Sequence, residues 1–456
     1  MIKIENFTYS YPNSKIPALK DINLKIQDGE FILIIGSTGS GKSTLLYCLN
    51  GLIPHTFGGE LSGEVLINGF SPKDKPIREI SKIIGTVFQN PDSQIFMLKA
   101  EDDVAFGCEN LLLPKEEIIE RRDSALREIG LSHLRDNETF KLSGGQKQRL
   151  AISSIYAMGP SIFLFDEPTT DLDQKGRQDF LKILRKLKTK GNTIILVEHQ
   201  YEEFLSLADK VVILEEGKVN DASLNKLNQM AIEKVQRVLP CLDNIIDLQG
   251  IYFEYEKEKP VLRDVNLKIK KGELVAVLGD NGSGKTTLFK ILLGLLRQKQ
   301  GKVTVFNLIN PSLEDLIGKV GFLFQNPDEQ LFANSVKEEI AFGPKQLRRK
   351  VDLDKYLNLA KFHFFKARHP QTLSRGQRQL LALVSILAME PEIIILDEPT
   401  TGLDYKNWYN LLEILNKLAT QGKTVIFSTH NMKAKEFATR LLWLDQGRII
   451  TDEILR

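Results

Sequence analysis

Two short runs, "GSTGSGKS" (residues 36–43) and "GDNGSGKT" (residues 279–286), set a lysine and a hydroxyl behind spaced glycines. Such glycines let backbone N–H groups turn inward around an anion, and a following helix adds its positive end. Gly36, Gly39 and Gly41, with Gly279, Gly282 and Gly284, would shape the two loops. Lys42 and Lys285 would reach the outer phosphates of a nucleotide, Ser43 and Thr286 would offer a hydroxyl to Mg²⁺, and Thr44 and Thr287, next in the first helical turn, would also bind the nucleotide. Each run follows an apolar stretch, "FILII" or "LVAVL", and precedes a helical pattern, which is the context this chemistry requires.

Acids recur in the same way. "FLFDEP" (163–168) and "IILDEP" (394–399) read as buried strands ending in two carboxylates, where parallel α/β sheets carry their chemistry. Asp166 and Asp397 would hold Mg²⁺; Glu167 and Glu398 would polarise an attacking water. His199 in "ILVEHQ" and His430 in "IFSTHN" each stand 32 residues beyond their glutamate. A lone strand-end histidine is usually structural, but the equal spacing points both toward the terminal phosphate.

These groups need elements to position them, and the chain supplies each element twice. "ALKDINLKIQDGEFILIIGSTGSGKSTLL" recurs as "VLRDVNLKIKKGELVAVLGDNGSGKTTLF". The interval between copies falls from 243 residues at the loops (Gly36 to Gly279) to 231 at the acids (Glu167 to Glu398), so the first half carries insertions. The largest lies in "NGLIPHTFGGELSGEV" (50–65) and is expected as a loop, with His55 a surface residue. Within each half, strands lead into the glycine loop and its helix, a helical middle follows, and buried strands then alternate with amphipathic helices. That order predicts an α/β core with a largely parallel sheet. The expected division is a first domain over 1–221, a linker over 222–245 with helical spacing, and a second domain over 246–456.

The bulk composition, 42% hydrophobic and 26% charged over 456 residues, fits two globular domains and excludes disorder and collagen. No apolar run of about 18 residues occurs, and the opening "MIKIENFTYSY" lacks a signal peptide's apolar core, so a cytosolic chain is expected. Cys48, Cys108 and Cys241 show no metal-ligand spacing and read as reduced and structural. A formal net charge of +2 argues against a nucleic-acid partner.

With "LSGGQKQRLAIS" (142–153) and "LSRGQRQLLAL" (373–383), the sequence resembles the ATP-binding-cassette (ABC) ATPases, whose signature is LSGGQ, over nearly the whole chain except the linker. The resemblance implies two tandem P-loop ATPase domains, each with an antiparallel β subdomain and a helical signature subdomain. It implies ATP and Mg²⁺ as ligands, and head-to-tail closure of each signature over the other cassette's phosphate loop. Ser143, Gly145 and Gln146, with Ser374, Gly376 and Gln377, would then contact nucleotide from a helix N-terminus. It further implies roles in Mg²⁺ and water sensing for Gln89 and Gln325, signalling across the pair for Asp173 and Asp404, and adenine stacking for Tyr11 and Tyr255.

A narrower likeness follows each glutamine. "FQNPDSQIFMLKAEDDVAFG" (88–107) and "FQNPDEQLFANSVKEEIAFG" (324–343) align without a gap and look like the ATPases of energy-coupling-factor importers. That likeness implies a transmembrane coupling protein and a small membrane substrate-binding protein as partners, and a peripheral position on the cytoplasmic face. The transported substrate would not touch this chain; a vitamin, a vitamin precursor and a transition-metal ion all fit. Physically, an apolar and acidic segment beside a phosphate sensor suits a surface that grips a partner, while "FQNPD" alone could be a simple Asn-Pro turn. Two other readings stand beside this one: a soluble twin-cassette ATPase acting on ribosomes or nucleic acid, and a two-cassette sugar importer ATPase.

One residue distinguishes the two signatures. Arg375 stands where the first copy has Gly144. If that position needs φ > 0, Arg375 costs about 1 to 2 kcal/mol; if it points away from phosphate, the cost is near zero. Both sites keep their lysine, acids and histidine, so both are expected to hydrolyse ATP, the one closed by Ser374 more slowly or at a different time.

Overall fold

The computed structural model describes residues 1–14, 16–170, 172–220, 243–401, 403 and 405–455. The expected linker falls outside these residues except for its last three, and Cys241 and Asp404 also lie outside them. The chain forms two compact units, Met1–Ala231 and Ile232–Arg456, each with its own sheet and cores.

In the first unit, strands Ile84–Val87, Ile162–Asp166, Thr193–Val197, Phe31–Ile35 and Lys210–Glu215 lie side by side in that order and run parallel; Lys218–Asn220 closes the edge antiparallel. Every residue of "FILII", "IFLFD" and "TIILV" is buried, as expected of strands covered on both faces. The second unit repeats the order with Val320–Leu323, Ile393–Leu396, Thr424–Thr429, Leu274–Leu278, Arg440–Asp445 and Arg448–Ile454.

Each unit also carries an antiparallel sheet. Ile2–Ser10 lies between Leu19–Ile26 and Glu60–Ile67, and Asn244–Glu256 lies between Lys259–Lys270 and Gln300–Val305. The signature helices, Gly144–Met158 and Arg375–Leu387, pack with helices of the middle region, Ala100–Asn110 with Lys115–Ile129 and Val336–Gln346 with Leu353–Ala360. Among the described residues no helix is long and apolar enough to cross a membrane.

The insert over 50–65 is not the plain loop its length suggested. Leu52–His55 forms a helical turn, Ile53 is buried, and Glu60 already belongs to a paired strand. Burying Ile53 offsets the cost of ordering a longer connection. Phe57 of the insert stacks on Tyr47 at 5.4 Å between ring centroids, while His55 is exposed, its Nε2 3.1 Å from the Pro72 carbonyl oxygen.

Candidate active site

Strand register brings the chemistry together. Phe31–Ile34 pair with Ile194–Val197, and Asp166 sits opposite Val197, so the glycine loop, both acids and His199 emerge at the carboxyl end of one sheet. The chain bends immediately: Glu167 takes φ 48° and Glu398 φ 45°, a left-handed backbone that a non-glycine residue occupies at a cost of about 1 to 2 kcal/mol. The bend turns each glutamate toward its loop.

Both loops close on their own lysine. Lys42 Nζ donates to the carbonyls of Gly36 (2.9 Å) and Ser37 (3.0 Å); Lys285 Nζ donates to those of Gly279 (2.6 Å) and Asp280 (3.2 Å). Close approach requires the glycines. A Cβ on Gly36 would lie 2.1 Å from the Leu214 carbonyl oxygen, and on Gly279 2.2 Å from that of Leu444.

The acids meet the residues expected for a hydrated Mg²⁺ and an attacking water. Ser43 Oγ donates to Asp166 (3.0 Å) and Thr286 Oγ1 to Asp397 (2.6 Å). Gln89 Nε2 donates to Glu167 Oε2 at 3.0 Å, while His199 Nε2 lies 2.8 Å from Glu167 Oε1. In the second unit Glu398 meets His430 Nδ1 at 3.2 Å and Lys285 Nζ at 3.4 Å.

Burial governs the charges. It pushes the Asp166 carboxyl up to about 6, reinforced by the charge on Glu167 and opposed by Ser43 and Lys42. Asp397 is raised for the same reason, against hydrogen bonds from Thr286 and Ser428. Burial also acts on Glu398, but His430 and Lys285 outweigh it and hold that carboxyl below its ordinary value.

These residues fit Mg²⁺ and a nucleotide polyphosphate. Hydroxyl, carboxylate and amide oxygens form the hard donor set that Mg²⁺ takes beside phosphate oxygens. Among the described residues no cluster of three or more His, Cys, Asp and Glu forms an all-protein cage. Ser40 Oγ and Ser283 Oγ are buried in the two loops with no partner among the described residues, each able to donate to a bound phosphate.

The signature serines open their helices. Ser143 and Ser374 form reciprocal capping boxes with Gln146 and Gln377. Gly144 is the first helical residue, outside the left-handed region, and a Cβ there would meet nothing within 4 Å. Arg375 therefore replaces glycine without backbone strain, which removes the costly alternative. Gly145 and Gly376 follow in the same first turns, facing Leu172 and Leu403. Asp173 caps the next helix by accepting from Gly176 N at 2.8 Å. Tyr11 and Tyr255 reach Thr44 and Thr287 through their hydroxyls at 3.0 and 3.3 Å, which sets each ring beside its phosphate-loop helix.

The segments after Gln89 and Gln325 prove to be self-closing turns. Asn90 and Asn326 accept from Asp92 N and Asp328 N, and the Gln94 and Gln330 side chains accept from Phe88 N and Phe324 N. Their acidity is not all on the surface. Asp103, 3% exposed, accepts from Phe96 N and Met97 N, and Glu339, 5% exposed, accepts from Phe332 N and Ala333 N. Sequence reasoning missed these clamps. Their signal was an acid at the same place in both copies before "AFG".

Sequence reasoning also missed Glu198. It is 2% exposed, accepts from Thr169 N and Thr169 Oγ1, and is pushed up to about 7 by burial; the second unit has Thr429 there. A carboxylate beside a histidine at the end of an otherwise apolar strand was the available sign.

Sheet, loops and acids together define a P-loop ATPase core, present twice. The ABC transporter family model matches residues 19–170 and 262–401, and the chain belongs to that family, with two cassettes in one chain. Two relatives carry the name "Putative ABC transporter ATP-binding protein". One, from Methanosarcina mazei, is 39% identical over 99% of this chain and 88% of its own length. The other, from Caldanaerobacter subterraneus subsp. tengcongensis, is 37% identical over 98% of this chain and 90% of its own length. Among solved structures, cbiO1 from Clostridium perfringens, described as part of the ABC transporter complex cbiONQ, is 29% identical with a TM-score of 0.43 over 46% of this chain and 89% of its own. The chain is an ATPase that uses ATP with Mg²⁺, the ATP-binding component of an ABC transporter-like system.

Proposed function

We propose that this chain is the ATP-hydrolysing subunit of an importer of the energy-coupling-factor type, bound at the cytoplasmic face of a membrane through a transmembrane coupling protein. The observation that carries the reading is a repeated aromatic pair in the segment after each glutamine, with at least one ring of each pair exposed. Phe96 is 68% exposed and lies 5.9 Å from Phe106; Phe332 is 64% exposed and lies 4.7 Å from Phe342. Exposed aromatics held by buried carboxylates suit a surface that grips a partner. The domains of this reading span 1–221 and 246–456, joined by 222–245.

In the same reading each site is composite. Lys42, Glu167 and His199 work with Ser374, Gly376 and Gln377; Lys285, Glu398 and His430 work with Ser143, Gly145 and Gln146. Ser43, Asp166 and Gln89 would hold Mg²⁺ in one site and Thr286, Asp397 and Gln325 in the other, where the metal would supply positive charge against the phosphates. Glu167 and Glu398 orient and deprotonate water, each carboxylate held in place by its histidine. Tyr11 and Tyr255 stack on adenine, while Asp173 and Asp404 signal between the cassettes. The cargo, a vitamin, vitamin precursor or transition-metal ion, contacts the membrane partners alone.

The test is to tag the chain, solubilise host membranes in mild detergent and identify what co-purifies by mass spectrometry. A multi-span protein with a small hydrophobic one is expected. Recovery with ribosomal proteins or RNA in the soluble fraction would overturn the importer reading and favour the soluble twin-cassette alternative.

A further inference from the structure

Asp92 Oδ1 lies 2.6 Å from Lys147 Nζ, and Asp328 Oδ1 lies 2.7 Å from Arg378 Nε. The aspartates stand three residues beyond Gln89 and Gln325, and the cations four beyond Ser143 and Ser374. Each pair therefore ties the glutamine turn to the first turns of the signature helix in its own cassette. The cation has changed between the copies and the pairing has not.

Stability is a poor account of these pairs. The aspartates are 62% and 41% exposed at the side chain, and ion pairs at that exposure add little. The turn meets the signature helix at buried Pro91, and beside that contact a cavity of ≈ 70 Å³ is lined by Gln89, Asn90, Asp92, Gly144 and Gln148. Gln148 is 3% exposed, yet its Nε2 has no partner, and Gln379 repeats this in the second cassette. The ion pair thus lies beside imperfect packing.

The turn's two ends are held differently. In the first cassette the aromatic end is fixed by buried Asp103, which also accepts from Ser154 Oγ of the signature helix at 3.0 Å. At the other end Gln89 holds Glu167, and Asp92 holds Lys147.

We propose that Asp92 with Lys147, and Asp328 with Arg378, are positioning pairs that make the signature serine of a cassette follow that cassette's own glutamine turn. A displacement at the exposed aromatics then moves Ser143 together with Gln89, or Ser374 together with Gln325. The inference rests on the reading that the signature serines contact nucleotide.

Steady-state ATP titration of the full chain tests it with Asp92→Lys, Lys147→Asp, the exchanged double variant, and Ser143→Ala as reference, each made in a Glu167→Gln background that leaves turnover to the site Ser143 completes and that stands as wild type in this comparison. Each single reversal is expected to lower kcat about 5- to 20-fold, with KM for ATP within about twofold and an unchanged melting temperature, because orientation and not folding is lost. The double variant is expected to recover about half of wild-type kcat, the coupling a true pair shows. Single variants with wild-type kcat, a double variant no better than the singles, or a loss that follows melting temperature would each overturn the proposal. If Ser143→Ala is impaired while Asp92→Lys is not, the pair alone fails; if Ser143→Ala turns over normally, the composite-site reading fails with it.

Discussion

His199 approaches Glu167 through Nε2, at 2.8 Å, whereas His430 approaches Glu398 through Nδ1, at 3.2 Å. The two cassettes hold the glutamates proposed to activate water with opposite ring nitrogens, and Gln89 adds a second hold on Glu167.

Amide side chains can imitate each nitrogen, since glutamine reaches about as far as Nε2 and asparagine about as far as Nδ1. With the other glutamate changed to glutamine, His199→Gln should retain more turnover than His199→Asn, and His430→Asn more than His430→Gln, by about tenfold in each comparison. The same ranking at both positions would contradict the difference in orientation.

Protons and Mg²⁺ should compete at Asp166. Its carboxyl is raised to about 6 from an ordinary 3.8 by burial, so below pH 6 the nucleotide-free protein carries a proton where the metal is to bind. In an Asp397→Asn background, the Mg²⁺ concentration giving half-maximal ATPase should rise about tenfold per pH unit as pH falls below 6. An identical Mg²⁺ requirement at pH 5 and pH 7 would count against this.

Glu198 should make stability depend on pH. Its carboxyl is raised to about 7 from 4.5, so the folded state binds the proton more tightly; the associated stability is complete below pH 4.5 and is lost as pH rises through 7. Glu198→Gln does not titrate. Its stability relative to wild type, by urea unfolding, should improve by roughly 1 to 2 kcal/mol between pH 5.5 and pH 8, whatever constant cost the changed hydrogen bonds impose. A difference that stays flat with pH would refute the assignment.

Much of this could be read in the sequence because phosphate chemistry leaves local marks. Gly36 to Ser43, Asp166 and Glu167, and Ser143 to Gln146 are each contiguous, so motif and neighbouring strand or helix sufficed to place them. The contacts that tie distant parts of a cassette together are not contiguous. Asp92 and Lys147, Asp103 and Ser154, and Glu198 and Thr169 lie far apart in sequence and meet only through tertiary packing. The left-handed bend at Glu167 and Glu398 was equally hidden, since glutamate has no preference for that backbone. Arg375 is the opposite case: the sequence raised the question, and the open space around Gly144 answers it.

That answer is testable by contrast. Gly144→Arg should leave thermal stability nearly unchanged, within about 0.5 kcal/mol, because its Cβ meets nothing within 4 Å. Gly36→Ala should abolish nucleotide binding or folding, because its Cβ would stand 2.1 Å from a backbone carbonyl oxygen. Comparable melting temperatures and ATP binding for the two variants would show that the loop does not need its glycine.

The central proposal is that ATP is hydrolysed at two sites, each completed by the opposite cassette's signature, and combined substitutions reach it most directly. ATP turnover would be measured for Glu167→Gln alone, with Ser374→Ala, and with Ser143→Ala. The account predicts that Ser374→Ala adds almost nothing to Glu167→Gln, since both disable one site, whereas Ser143→Ala removes the remaining turnover by disabling the other. The reverse pattern, with Ser143→Ala silent and Ser374→Ala removing what is left, would contradict it.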